Sequence, residues 1–273
     1  MHLNFGFNAV QTLWALTFAA LLILLVVLLG RDRAKRFPVF TLSLVLVAFR
    51  LLASRLLFGR MSPVATNVAF LSLALAAGLV QISVVVEFAL RAFAGAGRRA
   101  WLVGTLVLLV ISGTMVAFWG PWPDWKTLTG GGLMANLRLA QLVAQRSEML
   151  ADGLAIELAI LVAFAGRRFY AGWLSHTQQL IVGMATAGMA QLVIRGFWQA
   201  IATHAIPHSE DEYIRLLGLQ EKLYNANSTV YIVVLVWWIA SLWREEPGAP
   251  VVELVAAQPE LTESVEATPA QEN

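Results

Sequence analysis

The hydrophobic pattern of this chain lacks the alternation of a soluble fold. Residues 19–29 and 101–110 are apolar on every side of the helix they would form, which suits a helix facing lipid and other helices. Similar runs recur and predict seven spans, at roughly 9–30, 38–59, 66–92, 100–119, 148–166, 177–202 and 225–243. Each is close to the ~20 residues that cross a hydrocarbon core of ~30 Å. The expected fold is therefore all-α: a polytopic membrane protein with a seven-transmembrane-helix bundle over residues 1–243. Two connections between spans also read as helical. Residues 133–147 begin a polar stripe, Arg138, Gln141, Gln145, Glu148 and Asp152, at steps of three and four. Residues 210–224 open with the acids Glu210, Asp211 and Glu212 and run without a breaker into the last span.

Charge adds an orientation. Only 13% of residues are charged and 59% are hydrophobic, so the few charges carry most of the topological information. The first span is preceded by the uncharged residues 1–7 and followed by Arg31, Arg33, Lys35 and Arg36. It thus reads as a retained span rather than a signal peptide. With the N-terminus outside and the C-terminus cytoplasmic, the connections after spans one, three and five fall in the cytoplasm. They carry that first cluster, then Arg91, Arg98 and Arg99, then Arg167 and Arg168, as the positive-inside rule requires. Trp119, Trp122 and Trp125 fit an outer aromatic belt and Trp101, Trp173 and Trp243 an inner one. Residues 244–273, rich in Glu, Pro, Ala and Thr, predict an acidic disordered cytoplasmic tail.

Ionisable groups inside a span are costly and need a partner or a water-lined cavity. At ~1.5 Å per residue from the cytoplasmic end, Arg50, Arg55, Asp152, Glu157, Arg195, Asn227 and Tyr231 all fall in the middle or outer half of the membrane. Span six carries Gly188, Gln191, Arg195, Gln199 and Thr203 on one stripe, and span seven Tyr224, Asn227, Ser228 and Tyr231. Gly183 and Ala187 form a small-residue surface that would bring a neighbour close to span six. The simplest geometry is a polar cavity opening outward, with Arg50, Arg55, Asp152, Glu157, Gln191, Arg195, Gln199, Asn227 and Tyr231 as its candidate ligand-binding residues. Two readings of the charges stand side by side. Arg50, Arg55 and Arg195 would pair with Glu148, Asp152 and Glu157 and pin the helices together, or a guanidinium excess would receive an anionic head group. Glu87 and Arg91, one turn apart near the inner surface, read as a local ion pair.

Much chemistry is excluded. The chain has no cysteine, hence no disulfide, thiolate ligand or thiol nucleophile. Lys35, Lys126 and Lys222 lie outside the spans, which argues against a retinal Schiff base. His2, His176, His204 and His208 lie at span ends or beyond, so intramembrane haem ligation is not expected. His204 and His208 are separated by Pro207, which breaks the helix that would align them on a metal. Ser112 in span four lacks the glycine of a Gly-x-Ser motif and reads as a buried helix-capping or packing serine. Phosphate loops, dinucleotide fingerprints and nucleic-acid tracts are absent from the sequence. The expectation is a protein that is not an enzyme and holds no cofactor or metal.

Arg36-Phe37-Pro38-Val39-Phe40 at the start of span two and Trp243-Arg244-Glu245-Glu246-Pro247 after span seven resemble the corresponding segments of uncharacterised bacterial seven-span membrane proteins. That resemblance implies a multi-pass protein of the bacterial inner membrane and no particular activity. An internal likeness also exists: residues 21–37 (LLILLVVLLGRDRAKRF) and 158–169 (LAILVAFAGRRF) both end a span with Gly-Arg and reach Arg-Phe. Spans two and six then each carry one deep arginine, Arg50 and Arg195, which suggests a three-plus-one-plus-three plan. The leading functional expectation is a receptor-like or sensory protein. It would bind a small anionic or amphipathic ligand from outside and meet a cytoplasmic protein partner, with lipids around it. A small transporter and a structural subunit of a membrane complex are the alternatives.

Overall fold

The computed structural model describes residues 9–57, 60–94, 98–120, 122–124, 126, 130–165, 175–204 and 209–245. Seven helices are present among them: α1 (Ala9–Gly30), α2 (Pro38–Leu57), α3 (Pro63–Ala92), α4 (Arg98–Phe118), α5 (Leu133–Ala165), α6 (His176–His204) and α7 (Glu210–Trp243). The expected tail and the arginines Arg167 and Arg168 lie outside the described residues. Five of the helices are long and apolar enough to cross a membrane: α1, α2, α3, α6 and α7. The chain is therefore a helical membrane protein. In α4 the apolar part is the shorter stretch Leu102–Phe118, and α5 is interrupted by Arg146, Glu148, Asp152 and Glu157.

Local sequence accounts for where the helices begin. Ser62 caps α3, its hydroxyl accepting from the Ala65 amide, and Pro63 follows at the first helical position, where its missing amide costs nothing. This starts α3 three residues earlier than the apolar run alone suggests. Ser209 caps α7 in the same way through the Glu212 amide, and Glu210, Asp211 and Glu212 meet the positive end of the helix dipole. The two helical connections expected at 133–147 and 210–224 are the first turns of α5 and α7, continuous with the helical residues that follow.

Neighbouring helices form a closed ring in the order α1, α2, α3, α5, α6, α7 and back to α1. A further contact of α3 with α6 narrows its middle, and α4 stands outside, packed chiefly on α5. One end of the ring is the solid core. Leu24 and Leu28 of α1, Phe37 and Phe40 at the start of α2, Phe88 of α3, Leu158 of α5, Ile181 of α6 and Leu235 of α7 are all essentially buried there. Phe40 meets Phe88 at 5.5 Å and Trp238 edge-on at 5.1 Å, and Phe37 meets Phe88 at 6.0 Å, so an aromatic plug fills this end.

The basic connection between α1 and α2 is tied into the same end. Arg33 donates to the ring nitrogen Nε2 of His176 at 2.7 Å and to the carbonyl of Arg244 at 2.6 Å, joining the start of α6 to the end of α7. Glu87 of α3 accepts the Phe40 amide at 2.9 Å and faces Arg91 at 3.5 Å. The local ion pair expected there thus has a second task, capping α2. Outward-facing side chains are apolar over most helices, Val26, Phe49, Leu79, Val110 and Val233 among them, as a lipid-facing surface requires.

Candidate functional site

The other half of the ring encloses a cavity of about 310 Å³, at the lower end of the range for small-molecule sites. Every ring helix contributes to its wall and α4 does not. Its floor is the plug, Phe40 and Trp238. Its apolar walls are Leu44, Val47, Val80, Val84 and Met184, and its polar groups are Thr17, Ser43, Gln81, Asp152, Gln191, Asn227, Ser228 and Tyr231. Arg50, Glu148 and Tyr224 lie toward the end away from the basic loops. The Arg50 side chain is 45% exposed there, whereas the floor residues are buried. The cavity therefore communicates with the end opposite the basic cluster.

Close packing of α5 and α6 positions the acidic wall. A Cβ on Gly188 would lie 3.2 Å from the backbone of Asp152, so the two helices meet backbone to backbone at this level. Gly183, five residues earlier, accommodates the Trp238 indole from α7. Of the small-residue surface expected on α6, Gly183 meets a neighbour closely, and the second close approach is at Gly188 rather than Ala187. Asp152 is 4% exposed. Its Oδ1 accepts from the Gln81 amide at 3.2 Å, and its Oδ2 has no hydrogen-bond partner among the described residues.

The arginines do not pair as a simple set of three with three acids. Glu148 takes two of them: Arg195 Nη2 donates to Oε2, and Arg50 Nη1 lies 3.5 Å from Oε1. Arg195 also reaches the Gln145 carbonyl at 3.3 Å. Arg55 instead sits over the Trp14 ring at 5.0 Å, a cation–π contact. The guanidinium excess expected from counting is therefore absorbed by one carboxylate and one indole.

Of the nine candidate residues, Arg50, Asp152, Gln191, Asn227 and Tyr231 line the cavity, and Arg55, Glu157, Arg195 and Gln199 do not. Glu157 is turned outward from the ring toward α4, where it accepts from the Ser112 hydroxyl at 2.7 Å. Ser112 is fully buried and acts as the packing serine its sequence context suggests. Gln199 lies against Gly120, whose positive φ of 69° leaves no room for a side chain beside that amide. Both Arg195 and Gln199 belong to the α6 stripe, but they lie beyond Gln191 toward the helix end, past the cavity.

Trp14, Thr17, Ser43, Gln81, Glu148 and Trp238 are wall residues outside the expected set. Gln81 had a legible signal, a lone amide in the middle of an apolar span. Glu148 stood as a partner of the arginines and not as a wall residue. Nothing in the local pattern distinguishes Trp14 or Trp238 from belt tryptophans. The histidines expected at span ends include His176, which heads α6 and bonds to Arg33. His2 and His208 lie outside the described residues, and the described residues contain no group of three His, Cys, Asp or Glu able to hold a metal. Comparison with protein-family models, with curated proteins and with solved structures finds no match.

Proposed function

We propose that the chain is a receptor-like or sensory protein of a bacterial inner membrane. It crosses that membrane seven times, with the N-terminus outside and the basic end in the cytoplasm, and binds a small amphipathic molecule in the cavity. One observation carries the reading: six helices jointly wall a cavity that is plugged by aromatics at the basic end and reaches the opposite end through polar groups. A bundle optimised only for packing would fill that volume, since voids in a core cost stability. The bacterial setting rests on the motifs at 36–40 and 243–247, and the cytoplasmic partner on the basic face around Arg31 and Lys35.

Two experiments test this. Purified chain in lipid nanodiscs is heated with short-chain alcohols, amines or carboxylates. At ten times its dissociation constant a true ligand adds about 1.4 kcal/mol of stability. Asn227→Leu with Gln191→Leu should remove that gain, and a flat response to all three head-group classes would sink the ligand site. The natural absence of cysteine makes the topology directly measurable. With a membrane-impermeant maleimide on intact cells, Gly131→Cys should label and Lys35→Cys should not; the reverse pattern would invert the orientation.

One observation favours a second reading, a small transporter. Exchanging α1, α2, α3 with α5, α6, α7 maps the order of contacts around the ring onto itself and leaves α4 outside as the linker, as expected of a three-plus-one-plus-three plan. Solute flux into proteoliposomes under an imposed gradient would favour transport; ligand-dependent stabilisation without flux would favour sensing.

A further inference from the structure

One carboxyl on the cavity wall has no cationic partner among the described residues. The wall's arginine and carboxyl side chains are Arg50, Glu148 and Asp152. Glu148 already holds two guanidiniums, from α2 and α6. The hydrogen bond to Asp152 comes from a neutral amide, Gln81 of α3. Among the described residues no cation lies within ion-pair distance of it. Arg195 of α6 attracts it and Glu148 of its own helix repels it, both from farther away. A carboxylate at this depth that keeps one oxygen unpartnered is expensive unless it takes up a proton or a positive charge comes to it.

The surrounding groups suit a particular kind of positive charge. Counting about 1.5 Å per residue from the basic end, Gln81, Gly188 and Tyr231 all lie at about 16 to 18 Å. The Tyr231 ring therefore shares the level of Asp152 on the wall. Deeper in the cavity Phe40 and Trp238 present further aromatic surface. Trp14 has its stacking surface engaged by Phe18 at 5.6 Å and Arg55 at 5.0 Å, so this bundle already places one cation on one of its indoles. A carboxylate among aromatic rings, with Leu44, Val47 and Val84 for hydrocarbon, is the chemistry that recognises an alkylated ammonium group. An anion finds one guanidinium on this wall, Arg50, which already faces Glu148 at 3.5 Å. A metal ion finds a single free carboxylate where it needs several donors.

We propose that the cavity takes an organic cation, a protonated or quaternary amine on a small apolar body, with Asp152 as its counter-charge. This rests on the cavity being a ligand site and specifies the head group that site accepts.

Three water-soluble probes of one shape test it on the full chain in zwitterionic nanodiscs, read by tryptophan fluorescence: choline, its neutral carbon isostere 3,3-dimethyl-1-butanol, and 3,3-dimethylbutanoate. Choline should bind at least tenfold more tightly than the alcohol, and the carboxylate should give no saturable change. Asp152→Asn should lower choline affinity at least tenfold and leave the alcohol unchanged. Glu157→Gln, outside the cavity, should alter neither. Equal binding of choline and the alcohol would overturn the cation while leaving an amphipathic site intact. Tighter binding of the carboxylate would replace the cation with an anion, and undiminished choline binding by Asp152→Asn would remove the counter-ion. Saturable binding by none of the three would remove both this inference and the ligand site beneath it. The comparison among probes needs only the unmodified chain, so it decides the question even if Asp152→Asn fails to fold.

Discussion

Helices α4 and α5 are neighbours with opposite relations between composition and burial. On α4, Leu102, Val103, Leu106, Val110 and Phe118 are exposed on the outer surface. On α5, which carries four ionisable residues between 146 and 157, the five consecutive residues 151–155 are all buried. Gly153 among them faces Ser112 and Met115 of α4. In water such a composition would place α4 at the centre and α5 at the rim. In lipid the apolar side chain loses nothing by facing outward, and the polar or small one gains from a protein neighbour. Between these two helices burial therefore follows small residues and hydrogen-bonding capacity rather than apolarity.

The comparison can be broken most forcefully at its glycines. Gly188→Leu should cost about 3 kcal/mol, the upper range for overpacking, because the new side chain meets the Asp152 backbone rather than a flexible tip. Chemical unfolding in detergent measures it, and a loss below a third of that figure would mean α5 and α6 can part. Next comes Glu148→Gln, which leaves the Arg195 guanidinium without its carboxylate. The expected loss is about 2 kcal/mol, mostly from Arg195, because the arm to Arg50 is half exposed and screened. Arg50→Gln should accordingly cost less than Arg195→Gln, and the opposite order would show that the cavity mouth is drier than its geometry implies. Ser112→Ala removes the one donor α4 gives Glu157 and should cost about 0.6 to 1 kcal/mol. Gly104→Ala, half-buried on α4 with nothing within 4 Å of the added Cβ, should stay within about 0.5 kcal/mol. A large loss there would mean that α4 has a neighbour beyond this chain.

Legibility of the candidate site followed the same division. The α7 stripe was readable in full: Tyr224, Asn227, Ser228 and Tyr231 all line the cavity. The α6 stripe was half readable, because periodicity gives the face of a helix but not the depth at which a cavity stops. Gln191 lies within that depth; Arg195 and Gln199 share its stripe but lie beyond it. Glu157 and Asp152, five residues apart on α5, face different neighbours, since α5 is contacted by α3, α4 and α6. No pattern on α5 alone says which of its faces is the inside.

By itself the sequence determined that the chain is helical, that it is built for lipid, and where most helices run. Those properties depend on the local free energy of placing a stretch of residues in hydrocarbon, which is close to a sum over neighbours in the chain. Only the tertiary structure decided that α4 lies outside the ring, that Glu148 serves two arginines, and that Asp152 lines the cavity with one oxygen left without a hydrogen bond among the described residues. These are pair properties, set by the rotation and depth of one helix against another, and here glycines and single hydrogen bonds tip them.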